Sequence, residues 1–212
     1  MNANRFLLAC CSILTAVLLA RASGAAAQHI GNPGTHVKYN VELEPHFVLQ
    51  WDHGPNYWYW GGDGIGLGVR ASIPVLQDGP VTTINNSLAV SFGLDWAHFG
   101  DDTCWGPGPP RNGPAYTCAA NDFWLPLVLQ WNFFFSDVIS AFPEFGLAIE
   151  HSRFDGGWWR VNGTDVYRTG TFSRTGAELV LWLGLRVHAS KSVAFTLRLG
   201  TPSLLLGASF FL

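Results

Sequence analysis

The carboxyl-terminal part of the chain, residues 174–212, alternates apolar and other residues with a period of two. From Ala177 to Val187 every second residue is apolar, and a mixed set with charged, small and aromatic members lies between them. The alternation resumes after a short turn from Val193 to Leu199, and after a second turn from Leu204 to Leu212. A helix places apolar residues three or four positions apart, so this period predicts three amphipathic β-strands.

Five segments upstream show the same alternation, so the sequence predicts eight strands in all. The connections differ in length, and Asn162-Gly163 between β-rich flanks predicts a type I′ hairpin that extends the fifth and sixth strands. An even strand count, with long loops at one rim and short turns at the other, is typical of an all-β, eight-stranded antiparallel up-and-down transmembrane β-barrel. The upstream strands are predicted at 37–52, 64–75, 87–96, 123–133 and 144–150, with Ser136-Asp137-Val138 as the short turn between the last two, and the long loops at 53–63, 100–121 and 153–173.

Three prolines, Pro45, Pro126 and Pro143, lie in or beside the predicted strands. Proline cannot donate a backbone hydrogen bond to a ladder, and a closed barrel has no edge strand that would tolerate the loss. The sequence therefore predicts β-bulges at these positions.

The alternation alone does not say which face is inside, because a soluble lipocalin-like barrel has the same period with its apolar residues inward. The polar face of this chain is dominated by Gly, Ala and Ser, the small residues that the narrow lumen of eight strands requires. Trp51 and Trp96 fall on the apolar face near the long-loop rim and Trp131 near the short-turn rim, as membrane-interface aromatics do. The composition therefore favours lipid against the apolar face.

Nine charged residues of the predicted strands fall on the polar face, and six of them lie in the half nearer the short turns. An unpaired charge in a narrow lumen is costly. We therefore predict an internal network of ion pairs that plugs the lumen, and the alternative is a gated polar pathway for ions or protons. The six residues are Glu42, Glu44, Arg70, Glu144, Arg186 and Arg198.

Weak candidates for catalysis lie at the outer end of the fifth strand. Glu150 and Glu178 fall at similar height on neighbouring strands and could form an acid or a cation site. The run Glu150-His151-Ser152 resembles the outer-membrane lipid A deacylases, in which His and Ser lie two residues apart on one face. Here His151 and Ser152 are adjacent and should point in opposite directions, whereas a nucleophile and its base must reach hydrogen-bonding distance. No ligand spacing predicts a metal site, and no cofactor is expected.

An amphipathic last strand that finishes on Phe210-Phe211-Leu212 resembles the assembly signal of bacterial outer-membrane β-barrels, which usually finish on Phe. The predicted architecture is similar to that of the outer membrane protein A and X barrels. This resemblance implies the bacterial outer membrane as the location, its lipid as a partner, and contact with the barrel-assembly machinery through Leu204–Leu212. It implies no reaction and sets no oligomeric state.

The amino terminus predicts export. A short start with one positive charge, an apolar run from Phe6 to Ala20 and Ala25-Ala26-Ala27 are the parts of a signal peptide, so residues 1–27 should be cleaved and 28–212 should form the barrel domain. Cys104 and Cys118 then remain as an even pair in an exported chain, which predicts a disulfide. The twelve basic residues form no basic patch, which argues against nucleic-acid binding.

Two hypotheses about function follow. The first is a non-enzymatic barrel whose outward loops have a structural or surface-contact role. The second is a lipid A-modifying enzyme that uses His151 and a carboxylate. A narrow ion channel is a further alternative.

Overall fold

A computed structural model describes residues 30–51, 63–104, 116–161 and 164–212, and at 63, 101–104, 116–118, 154–161, 164–169 and 172 it describes the backbone alone. Consecutive strands pair in an antiparallel manner, and the last strand pairs with the first, so the sheet closes into a barrel. The predicted fold class, an eight-stranded antiparallel up-and-down barrel, is confirmed. The strands are β1 (Glu42–Trp51), β2 (Asp63–Leu76), β3 (Asn86–Cys104), β4 (Tyr116–Phe134), β5 (Ile139–Val161), β6 (Thr164–His188), β7 (Val193–Gly200) and β8 (Ser203–Phe211).

The central strands are longer than the alternation predicted. Strand β3 continues to Cys104 and β4 begins at Tyr116, so both ends of the predicted loop 100–121 are strand and that prediction was wrong. Apolar alternation marks a strand only where one face meets an apolar medium, whereas the hydrogen-bond ladder continues beyond it. The predicted extension of β5 and β6 is confirmed, because Val161 pairs with Thr164 across Asn162-Gly163, which itself lies outside the described residues.

The prediction of bulges at the three prolines was wrong. The register of β1 on β8 is the same on both sides of Pro45, and the ladder is only interrupted there. Pro126 and Pro143 interrupt the β3–β4 and β4–β5 ladders in the same way, without a shift. Each residue of an antiparallel strand bonds to one neighbouring strand, so the ladder on the other side of the proline holds the register. A register shift occurs instead beside Pro74, near the end of β2.

Burial is inverted relative to a water-soluble protein. Side chains on the outer wall are apolar and exposed, including Leu179 at 87% and Ile65 at 64%, whereas the six predicted lumen charges are at most 1% exposed. This arrangement rules out the lipocalin-like alternative, in which the apolar residues would face inward. In the described part of the chain, no helix is long and apolar enough to cross a membrane.

The residues before β1 do not continue that strand down to 37, as the sequence had predicted. Residues 30–41, the N-terminal strap, cross the short-turn mouth of the barrel. The ring of His36 stacks on Phe134 at a centroid distance of 4.2 Å, and its Nδ1 lies 2.6 Å from Oδ1 of Asn85. The ring of Tyr39 is buried against Phe211. Burial raises the pKa of the Tyr39 phenol above its usual range. The strap therefore places the aromatic rings of His36 and Tyr39 at this mouth of the barrel.

Candidate functional site

The six predicted lumen charges lie together inside the barrel. Arg198 is central, since its Nε lies 3.2 Å from both carboxylate oxygens of Glu144 and its Nη1 bonds to Glu44. Arg70 reaches the same Glu144 from another strand, with Nη1 3.1 Å from Oε2. Nη2 of Arg186 lies 2.6 Å from Oε1 of Glu42. The residues come from β1, β2, β5, β6 and β7, and together they form a charged layer across the lumen.

Two further residues belong to this layer, and the sequence had not assigned them to it. Nη2 of Arg70 lies 3.0 Å from Oδ2 of Asp95, and Nε2 of His46 lies 2.8 Å from Oδ1 of the same carboxylate. The other ring nitrogen of His46 faces the backbone oxygen of Glu44 at 3.2 Å. Both partners are acceptors, so the His46 ring bridges an oxygen of β1 and one of β3. The layer thus contains four carboxylates, three guanidiniums and the His46 ring.

The signal for His46 was present but incomplete. His46 lies two residues after Glu44, on the same inward face of β1. Its partner depends on Gly68, whose missing side chain leaves room for the His46 ring and the Asp95 carboxylate to meet. The alternation of the sequence predicts on which face of the sheet a residue lies, whereas the identity of its partner depends on the register of three strands.

Aromatic rings fill the space between the guanidiniums. The Phe142 ring lies 4.0 Å from the guanidinium carbon of Arg186 and 5.0 Å from that of Arg198. Trp182 lies 4.5 Å from the guanidinium carbon of Arg70. These distances are within cation–π range, which is worth about 2 kcal/mol or more for a desolvated cation. The rings therefore separate and stabilise cations that would repel one another in a medium of low dielectric constant.

Glycines make the room that these rings occupy. A methyl group at Gly184 would collide with the Phe142 ring, and one at Gly200 would collide with the Trp182 ring. Both rings are at most 2% exposed. The glycines of the inward face thus leave the space in which the Phe142 and Trp182 rings pack.

Apolar clusters lie on both sides of the charged layer. At the end of the barrel from which β3 to β6 project, a buried cluster consists of Val48, Ala97, Phe99, Ala120 and Leu205. Toward the short turns, Tyr39 of the strap, Ala194 and Phe211 form another. The charged layer is therefore enclosed between apolar residues along the barrel axis.

The candidate catalytic residues do not come together as a nucleophile and a base. Ser152 points inward and its hydroxyl donates to Oε1 of Glu150 at 3.1 Å. His151 is on the outer wall, with Nδ1 2.8 Å from the hydroxyl of Thr175. Glu178 is opposite the buried Ala148, on the same inward face as Glu150. Among the described residues no group of three or more His, Cys, Asp and Glu is arranged to hold a metal ion.

The remaining predicted residues lie at the rims. Trp51 and Trp96 are on the outer wall toward the long strands, at 40% and 36% exposure. Trp131 lies toward the short turns, and its indole nitrogen donates to Oδ1 of Asn86 at 3.0 Å. Cys104 and Cys118 are on the paired ends of β3 and β4, but their side chains lie outside the described residues, so the disulfide remains a prediction.

Solved structures with this fold belong to Ail, the attachment invasion locus protein and outer membrane protein of Yersinia pestis. Ail in complex with the heparin analogue sucrose octasulfate is 9% identical, with a TM-score of 0.50, and the match covers 82% of this chain and 98% of Ail. A second crystal structure of Ail is 10% identical with a TM-score of 0.48, and its structure in a phospholipid nanodisc is 10% identical with a TM-score of 0.40; both matches cover 82% of this chain. No family model and no curated protein matches the sequence. At 9% identity the likeness to the first structure shows a shared fold, that of the small eight-stranded outer-membrane β-barrel.

Proposed function

We propose that this chain is an outer-membrane β-barrel protein with a plugged lumen, which makes contacts outside the cell through the projecting parts of β3 to β6. Its placement in a bilayer rests on the exposed apolar wall. Leu127, Leu147 and Leu183 are each more than half exposed, and such residues on every strand of a closed barrel would be unfavourable in water. Closure of the sheet also pairs most backbone groups of the spanning part with a neighbouring strand, as lipid requires.

The plugged lumen is supported by the charged layer and the clusters around it. Arg198 and Glu144 are fully buried, and paired groups of this kind are hard to separate in a medium of low dielectric constant. A solute or hydrated ion would have to displace guanidinium–carboxylate bonds and then pass the apolar clusters. The wild-type protein should therefore show little conductance in planar bilayers, and large steady single-channel currents would contradict the plug.

The contact role rests on one observation, the length of β6 that extends beyond its pairing with β7. Strand β6 is paired with β5 along nearly its whole length, but its pairing with β7 begins only at Trp182. From Thr164 to Leu181, no strand in the described part of the chain pairs with its other edge. The backbone N–H and C=O groups of such an edge can bind an extended segment of another polypeptide.

Excision of the projecting hairpin tests this role. A variant in which residues 157–168 are replaced by Asn-Gly should assemble as well as the wild type, because the removed residues lie beyond the apolar wall. Cells that display it should adhere less to protein-coated surfaces than cells that display the wild type. A matched control inserts an epitope between Asn162 and Gly163, and the epitope should be reached by antibody on intact cells. Equal adhesion by both cell types would contradict the contact role, and an epitope reached only in broken cells would invert the topology.

A further inference from the structure

The outer wall changes from apolar to polar along one sharp line on β3 to β6. Below the line lie Leu125 and Ile149, at 48% and 52% exposure. Above the line, the next two outward-facing positions of each strand form two rows. The register aligns each row across all four strands. The lower row is Trp96, Phe123, His151 and Thr175, and the upper row is His98, Asn121, Arg153 and Ser173.

Hydrogen bonds within the rows leave donors directed away from the wall. Oδ1 of Asn121 accepts from the indole nitrogen of Trp96 at 3.2 Å and faces Nδ1 of His98 at 3.1 Å. Two donors on the oxygen fix the orientation of the amide, so its Nδ2 is available to a ligand. The same bond places a proton on Nδ1 of His98. His151 is bonded to Thr175 through Nδ1 at 2.8 Å, so its Nε2 takes no part in that bond.

Arg153 supplies a cation between these groups. It is exposed on the outer wall, and no ion pair or hydrogen bond of its side chain exists among the described residues. It is directly opposite Asn121 and two residues from His151, which are separations of roughly 5 Å across strands and 7 Å along one. A single tetrahedral anion can therefore contact all three side chains.

We propose that Arg153, Asn121 and His151 form a site for the phosphate headgroup of a lipid in the outward-facing leaflet. The inference rests on the membrane placement proposed above. A lipid whose chains lie along Leu125 and Ile149 has its headgroup at the two polar rows. Guanidinium, amide and imidazole are all donors to phosphate oxygens, and Trp96 and Phe123 border the headgroup region as interfacial aromatics do.

The full-length mature protein in nanodiscs tests the proposal. The discs contain phosphatidylcholine with a minor fraction of phosphatidic acid as the phosphate probe, and lipids retained per barrel are counted by native mass spectrometry. Wild-type protein should retain phosphatidic acid in excess of its fraction in the disc, and Arg153→Gln should reduce that enrichment about fivefold, as expected for one basic residue at a membrane surface. Arg174→Gln is the matched control, because it removes the same charge at a position opposite the inward-facing Ser152.

Each outcome is decisive. Equal enrichment in wild type and Arg153→Gln, or an equal loss in Arg174→Gln, would overturn the site. Displacement of phosphatidic acid by millimolar inorganic phosphate would show a general anion site and overturn the assignment to lipid. Failure of the wild type to enter nanodiscs would contradict the membrane placement itself, whereas normal insertion without enrichment would contradict this inference alone.

Discussion

Strands β7 and β8 are 8 and 9 residues long, whereas β5 and β6, in the same wall, are 23 and 25 residues long. A tilted strand needs about 9–11 residues to cross the hydrocarbon core of a bilayer. The short strands are therefore at or just below the length that a crossing requires. Crossing a bilayer does not explain the additional length of β5 and β6. The molecule therefore has two parts: a spanning part stabilised by the charged layer and a projecting part stabilised by backbone pairing.

The largest effect should come from the charged layer. Arg198→Ala leaves Glu44 and Glu144 without their shared guanidinium, and removal of one partner of a buried pair costs about 3–5 kcal/mol. Denaturant unfolding in detergent should show a loss of this size, and planar bilayers should show leakage if water enters to hydrate the carboxylates. Lys191→Ala, in an exposed short turn, is the control and should change neither property. An unchanged stability for Arg198→Ala would mean that the layer does not hold the spanning part together.

The next effect should be confined to the projecting part. If Cys104 and Cys118 are bonded, the bond closes a loop of about 15 residues and stabilises it by about 3 kcal/mol in the entropic model. Reduction should then make the ends of β3 and β4 sensitive to protease and leave the spanning strands intact. Titration of free thiols in unreduced, purified protein would show that no bond exists.

A smaller effect should come from packing around the guanidiniums. Gly184→Ala puts a methyl group into the Phe142 ring, and overpacking of this kind costs about 1–3 kcal/mol. Gly176→Ala is the matched control on the same strand, because a methyl group there meets nothing within 4 Å. Thermal unfolding of both variants should show a loss for Gly184→Ala alone. Equal stabilities would mean that the Phe142 ring can move aside.

The sequence predicted the spanning part better than the projecting part, for a physical reason. Lipid on one face and side chains on the other impose a strict alternation, so all eight strands and the inward set of charges could be predicted. Beyond the apolar wall the hydrogen-bond ladder needs no alternation of side chains, so Cys104 and Tyr116 gave no periodic signal although they are in strands.

The partner of an inward side chain was harder to predict than the face of the sheet on which the side chain lies. That His46 points inward follows from its position after Glu44, but its pairing with Asp95 depends on how β1, β2 and β3 align. The strap was missed because Val37 and Tyr39 continue the alternation of β1 although they lie outside it. A local pattern cannot distinguish a strand from an extended segment that crosses the mouth of the barrel.

The charged layer also bears on the order of assembly. Arg198 on β7 takes its partners from β1 and β5, Arg186 on β6 takes one from β1, and Arg70 on β2 takes one from β5 besides Asp95 on β3, so most of these ion pairs join strands that are not consecutive. A half-built sheet in lipid would therefore hold bare charges, which are expensive at the centre of a bilayer. Every guanidinium is paired with its carboxylates only after β8 has paired with β1. This sequence thus favours cooperative insertion, in which partly closed barrels are sparsely populated intermediates.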